Sequence, residues 1–287
     1  MSLTINTNIE ALDAQRNLGA TENSLAMTME RLSSGLKINS AADDVAGYAI
    51  NERLQSQITG LEQAQQNSQD AVALAQTGQG ALNEVEQMLQ RVRELAVQYE
   101  NGTNSTSDKE ALESEAEQLN SEIKRVGETT SFNGISLLSK EGSITFQVGA
   151  NEGKEEQISV KTIKLSEKVK EVKLKGTEEE VEVENEKKEK VKEKVHVSAI
   201  KTVEGYIAEV AKSAGEFGSV QDRLQYTQAN LATYTQNLTA AQSSIVDVDM
   251  GAEVTNFTKD QVLVQAGVSV LTQANSLPQV VLKLLGG

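Results

Sequence analysis

The chain is 287 residues long, carries a formal net charge of -15 and contains one His, one Pro (Pro278), no Cys and no Trp. The missing Cys excludes disulfides and thiolate metal sites, and the acidic balance argues against binding a nucleic-acid backbone, which needs a basic face. Scarce Pro and aromatics favour long helices packed along narrow seams over a thick globule, and no stretch of about 18 apolar residues is available to span a membrane.

The start, Met1-Ser2-Leu3-Thr4-Ile5-Asn6-Thr7-Asn8, lacks a basic region followed by an apolar run, which argues against a cleaved signal peptide. In 1–36, Ile5, Ile9 and Leu12, then Leu18, Leu25, Met29, Leu32 and Leu36, form an apolar stripe on a background of Asn, Gln, Ser and Thr. Asp43-Asp44 stands at a helix start. Adjacent carboxylates there diverge, so they suit a cap near the macrodipole better than a divalent-ion site. Leu54, Ile58 and Leu61 continue at helical spacing, and Val85, Leu89, Val92 and Ala96 repeat the pattern on a second stretch. Between them, Gly78-Gln79-Gly80 lacks the third Gly and the Lys-Ser of a phosphate loop and reads as a loosened helix turn. After a turn-rich break at 101–107, Leu112, Ala116, Leu119, Ile123 and Val126 mark a third helix, with Ser107 or Asp108 as its cap and Glu110 and Glu113 in its first turns.

Past Gly127 the period changes from helical to alternating. Phe132-Asn133-Gly134-Ile135 reads as a turn, Ile144 to Gly149 as a strand, and Gln157 to Ile163 as its hairpin mate. Residues 164–197 are dominated by Lys, Glu and Val. Alternation at Val172 and Leu174, and again at Glu180 to Glu184, with Gly176-Thr177 as the turn, fits a second hairpin; the composition equally fits a solvated, partly ordered insertion. His196 lies here, and a single His rules out the paired histidines of a hydrolytic zinc site; it reads as exposed and without a role. From there Val203, Ile207, Val210, Ala214, Phe217, Leu224, Thr227, Leu231, Tyr234, Leu238, Ala241, Ile245 and Val248 step by three and four, broken only at Gln221. That seam predicts one helix of roughly 70 Å with a coiled-coil stripe. A final stripe in 254–285 comprises Phe257, Val264, Val268, Leu271, Leu282 and Leu285.

Neither end carries much charge. An exposed helix of a monomer is usually solubilised by Lys and Glu on its outer face, whereas here the outer faces are amides and hydroxyls, which tolerate burial against other chains. Two arrangements satisfy the stripes: packing against copies of the same chain, or an intramolecular pair of terminal helices. In the first, Ile5, Ile9, Leu12, Leu25, Met29, Leu32, Val264, Val268, Leu271 and Leu282 are the polymerisation seam.

The segment Arg31-Leu32-Ser33-Ser34-Gly35-Leu36-Lys37-Ile38-Asn39-Ser40-Ala41-Ala42-Asp43-Asp44-Val45-Ala46-Gly47 resembles the amino-terminal signature of bacterial flagellin. Gln90 to Gln98 resembles the family's next helix, Thr130-Ser131-Phe132-Asn133-Gly134 the turn after its third, and Phe146-Gln147-Val148-Gly149-Ala150-Asn151 its core hairpin. Ala266 to Leu285 is similar to its carboxy-terminal helix; the likeness covers roughly 1–160 and 198–285. It implies a mainly α fold: a long antiparallel, coiled-coil-like helical rod with a small β-hairpin element, and terminal helices that form an inner filament core. The domains it implies are 1–43 with 249–287 (inner core), 44–163 with 198–248 (rod), and a short variable insertion at 164–197 in place of a large outer domain. The implied role is a structural subunit, not an enzyme and without cofactors, that polymerises into the extracellular flagellar filament for swimming; a hook-associated filament-junction protein shares the terminal architecture. The resemblance further implies tails that order on assembly, export through the flagellar apparatus with an export chaperone and without a cleavable signal peptide, and contact with hook-associated and cap proteins. It also implies recognition by the animal Toll-like receptor for flagellin at Arg91, Leu95 and Glu115.

Overall fold

The computed structural model describes residues 7–175, 177–184 and 190–285, with side chains over 7–175 and 198–276. Ile5 and Gly176, and the side chains of His196, Leu282 and Leu285, lie outside the described residues. Among those described, six helices run in order: α1 (Ile9–Ser34), α2 (Val45–Tyr99), α3 (Thr106–Thr129), α4 (Leu165–Lys168), α5 (Ala199–Val246) and α6 (Met250–Leu285). Three antiparallel two-stranded sheets join them: β1 (Ser131–Phe132) with β2 (Ile135–Ser136), β3 (Ser139–Gln147) with β4 (Gln157–Lys164), and β5 (Thr177–Glu184) with β6 (Lys190–Val197). The fold is mainly α.

The chain forms two compact units, Met1–Ile58 with Gln236–Gly287, and Thr59–Thr235. The division falls within α2 and α5, whereas the sequence boundaries after 43 and 248 coincide with breaks between helices.

In the second unit, Leu82, Val85, Leu89 and Val92 of α2, Leu112, Ala116 and Ile123 of α3, and Val203, Val210 and Phe217 of α5 share one buried core with Leu137, Leu138 and Val160. Burying each large aliphatic side chain contributes about 1.5–3 kcal/mol relative to leaving it exposed. Arg93 meets Glu204 at 2.7 Å while Gly78 faces Phe217, so α5 runs antiparallel to α2. The two strands expected as hairpin mates do pair, as β3 and β4, with Phe146 opposite Ile158 and Ile144 opposite Val160, and Val148 and Ile158 close a smaller cluster with Ala71 and Leu224. Asn133 (φ 48) and Gly134 (φ 79) form the tight turn between β1 and β2, both in the left-handed region that Asn and Gly tolerate best.

Several local expectations change. The stretches around Leu54 and Val85 belong to one continuous helix, and Gly78-Gln79-Gly80 is ordinary helix within it. Gly78 is a close-approach position: a Cβ there would lie 2.9 Å from Cε1 and Cζ of the Phe217 ring. In α5 the register is unbroken at Gln221, because Val220 packs on the core between Phe217 and Leu224. Farther along α5, Tyr234 and Ala241 are exposed, and Val246 is buried where Val248 was expected. Val172 and Leu174 are not a strand. They are buried in the core, and Asn120 of α3 holds this segment by donating to the Val172 carbonyl at 2.9 Å and accepting from its N–H at 3.4 Å. A second hairpin does form, but from β5 and β6.

The cap of α3 is Ser105, two or three residues earlier than read. Its hydroxyl accepts from the Asp108 N–H (3.2 Å) while the Asp108 carboxylate accepts from the Ser105 N–H (2.9 Å), a complete capping box. Hydrogen bonds from the Ser105 hydroxyl and then its N–H hold the Asp108 carboxyl below its ordinary value. A lowered pKa means that the cap's stabilisation is complete above the ordinary Asp range and is lost as pH falls through the lowered value. Ser105→Ala is expected to cost about 1 kcal/mol of stability, measurable as a shifted denaturant midpoint at pH 7; an unchanged midpoint would contradict the cap.

Candidate functional site: the terminal helix pair and the α2–α3 face

In the first unit α1 lies antiparallel on α6. Asn8 begins α1 by accepting from the Ala11 N–H at 3.0 Å, and its side-chain amide donates to the Ala274 carbonyl at 2.8 Å. Leu18 lies against Gly267, and Arg31 stands 3.9 Å from Glu253 at the other end of the pair. The second of the two arrangements left open by the sequence, an intramolecular pair, is therefore present. Ala11, Thr28, Glu253, Asp260 and Ala274 are buried in this unit.

Where α1 ends, the chain is stitched to the joint between α5 and α6. Lys37 N–H donates to the Val246 carbonyl at 2.6 Å and Val248 N–H to the Gly35 carbonyl at 3.0 Å, with Leu36 and Asp247 bridged between them. Both following helices are capped by aspartate: Asp44 accepts from Ala46 and Gly47 N–H, each at 3.0 Å, and Asp249 from Gly251 (2.9 Å) and Ala252 (3.1 Å). Asp43 has a different task. It accepts from the N–H groups of Asn39 and Ser40 and the Ser40 hydroxyl, contacts that hold its carboxyl below the ordinary value, and so clamps the loop rather than the helix.

The pair buries only part of the apolar stripes. Leu25, Leu32, Val264 and Leu271 are half-buried, whereas Ile9 (61%), Leu12 (56%), Met29 (49%) and Val268 (49%) remain exposed. Met27, Val254, Val262, Leu263 and Val270 are also exposed and were not singled out from the sequence. Their signal was the consecutive apolar run Val262-Leu263-Val264, which gives a helix apolar side chains on more than one face. The two acids in the described side chains of α6, Glu253 and Asp260, are both buried, so Lys259 is the only exposed charge on 250–276. A surface that apolar and that poor in charge is characteristic of an interface.

On the second unit, α2 and α3 bring two expected residues together. The Arg91 guanidinium donates to Glu115 through Nε at 2.9 Å, with Nη2 at 2.8 Å, and reaches Glu94 at 3.0 Å. Hydrogen bonds to Glu115 and then Glu94 raise the Arg91 pKa. Leu95 is not on this face: it is 0% exposed, within the core beneath it. Helical spacing from Arg91 places Leu95 one turn on, but that position points to α3 and α5 rather than to solvent.

Among the described residues, no group of three His, Asp or Glu is arranged to hold a metal ion, and no helix is long and apolar enough to cross a membrane.

Two family models match the chain: the bacterial flagellin N-terminal helical region over residues 5–143 and the bacterial flagellin C-terminal helical region over 200–285. A flagellin of Halalkalibacterium halodurans is 42% identical over 282 residues, covering 98% of this chain and 99% of that one. A flagellin of Bacillus subtilis is 38% identical over 303 residues (98% and 99% covered), and a flagellar filament 33 kDa core protein of Treponema phagedenis 37% identical over 292 residues (98% and 99%). The uncharged terminal pair and the full-length likeness agree: the chain belongs to the bacterial flagellin family and is a structural subunit of the extracellular flagellar filament, not an enzyme.

Proposed function

We propose that this flagellin polymerises through the outward faces of its α1–α6 pair. Ile9, Leu12, Met29 and Val268 contact neighbouring copies directly, and Leu25, Leu32, Val264 and Leu271 fill the seam between the two helices. The observation that carries this reading is the set of large apolar side chains left in solvent on α6, whose described surface exposes a single charge. Burying them against copies is the favourable term that offsets the entropy of ordering the subunits. Purified protein, seeded or salted out, is expected to grow micrometre filaments in electron micrographs. A hook-associated junction protein gives no long polymer under the same conditions, so short or absent assemblies overturn the reading.

Before assembly the same surface needs cover. An export chaperone on the carboxy-terminal helix suits that need, with passage through the flagellar export apparatus, and hook-associated and cap proteins at the two ends of the filament. On the second unit, the exposed Arg91–Glu115 pair suits recognition by the animal Toll-like receptor for flagellin, while buried Leu95 supports the face from below. Arg91→Ala is expected to weaken receptor binding roughly thirty-fold, the size of an interface hot spot; an unchanged dissociation constant removes the assignment.

A further inference from the structure

We propose that Asn101 is a self-modifying position: the backbone nitrogen of Gly102 attacks its side-chain amide and converts it to aspartate and isoaspartate, leaving on each subunit a chemical record of its age. The reaction needs an Asn followed by a residue whose nitrogen is unshielded and unbonded. Gly102 N loses its proton and bonds to Asn101 Cγ; the Cγ–Nδ2 bond breaks and ammonia leaves, closing a succinimide ring. Water then opens the ring at either carbonyl. Each conversion consumes a water and releases an ammonia, so solvent is the sole co-reactant.

Small residues follow Asn at the Asn-Gly steps 101–102 and 133–134 and at the Asn-Ser steps beginning at Asn39, Asn67, Asn104, Asn120 and Asn275. The structure separates them. Asn67, Asn120 and Asn275 lie inside α2, α3 and α6, where the next N–H is bonded to a carbonyl one turn back. After Asn39 and Asn104 that N–H is held by a carboxylate: Ser40 donates to Asp43 and Ser105 to Asp108, each at 2.9 Å. The Asn104 amide is itself tied to the Gln98 carbonyl. Asn133 sits in the left-handed turn bracketed by the pairs Phe132–Ile135 and Ser131–Ser136, and swinging the next nitrogen behind its own Cγ opens that hairpin.

Asn101 has none of these protections. It and Gly102 are exposed in the loop between α2 and α3, and among the described residues the Gly102 N–H donates to no other group. Rotation at Asn101 gives up the bond its carbonyl accepts from Asn104 N–H at 3.2 Å and the bond its side chain accepts from Thr103 N–H at 3.3 Å, both of which water replaces. Nor does the backbone require the glycine: its φ is not left-handed, and a Cβ built there meets no atom within 4 Å. The aspartate product adds a negative charge ahead of α3, at the end of the helix that favours it. Isoaspartate instead lengthens the main chain between α2 and α3 by a methylene. In a filament outside the cell, both accumulate beyond the reach of cytoplasmic protein turnover.

The full chain is incubated at mildly alkaline pH, native and in guanidinium, and its tryptic peptides 94–109 and 126–140 are followed by mass and fragmentation. In guanidinium both Asn-Gly steps are expected to convert at similar rates. In the native chain Asn101 should stay within a few-fold of that rate while Asn133 slows roughly tenfold or more, because it reacts only from a locally opened state. Two products of equal mass, aspartate and isoaspartate, are expected at 101; aspartate alone means direct hydrolysis and overturns the succinimide route. Gly102→Val is expected to slow the conversion roughly tenfold, since a β-branched side chain crowds the attacking nitrogen, with helical content unchanged. An unchanged rate in that variant overturns the proposal. So does a parental Asn101 that is stable in the native chain, or one that converts no faster than Asn104 or Asn133.

Discussion

Val268→Asp is expected to abolish filament growth while leaving the subunit folded. Val268 is half exposed on α6, so in the free subunit an aspartate there stays hydrated and disturbs little. On the proposed seam the position is buried against a neighbouring copy, so an unpaired carboxylate would have to be desolvated or protonated at each of the many equivalent contacts. Helical content by circular dichroism should match the parent, and sedimentation and electron microscopy should show no polymer. Normal filaments from this variant would place Val268 outside the seam. Loss of helical content would mean instead that the residue serves the α1–α6 pair. The flanking exposed residues Val262 and Val270 offer the same contrast.

Phe217→Ala is expected to have the largest effect on the second unit, lowering its stability by about 3–5 kcal/mol. The ring is 2% exposed in the core shared by α2, α3 and α5, and lies directly over Gly78. No side chain on α2 can fill the space from that side, because the facing residue has none, so the cavity remains. Gly78→Ala approaches the same contact from the opposite direction: its Cβ would lie 2.9 Å from the ring and force it aside. Denaturant midpoints of both variants measure the contact. If neither moves by more than a few tenths of a kcal/mol, the ring and glycine do not form the junction described.

The helices were legible because their apolar residues recur at three and four, and a seam of that period has one interpretation at this length. The β1–β2 turn and the pairing of the β3 and β4 strands were legible for a similar reason, since Asn-Gly and alternation restrict the backbone strongly. What sequence spacing did not resolve were choices between chemically equivalent neighbours. Ser105 caps α3 rather than Ser107 or Asp108: Ser105/Asp108 and Ser107/Glu110 both set a hydroxyl and a carboxylate three residues apart, and the capping box forms at the first of them. Val172 and Leu174 alternate like a strand, yet the extended segment docks on the amide of Asn120, and alternation alone does not distinguish the two. At the terminal helices, one stripe was read on each. The second apolar face escaped notice because an intramolecular pair accounts for only one face per helix, and the burial of Glu253 and Asp260 is visible only once α1 is in place. At the α2–α3 face, Arg91 and Glu115, which only the family resemblance had put on one surface, are brought together, while Leu95 turns inward.

The stitch at 35–37 and 246–248 has a mechanical consequence. A continuous helix transmits tension along a single backbone, and each break between helices is a point where that strand can yield. Here the two breaks lie side by side and share crossing amide–carbonyl links. A pull entering through α6 is therefore divided at once onto the strand that follows α1, and neither connection can extend until both links have sheared. In a filament under load, that converts two compliant joints into one stiff coupling.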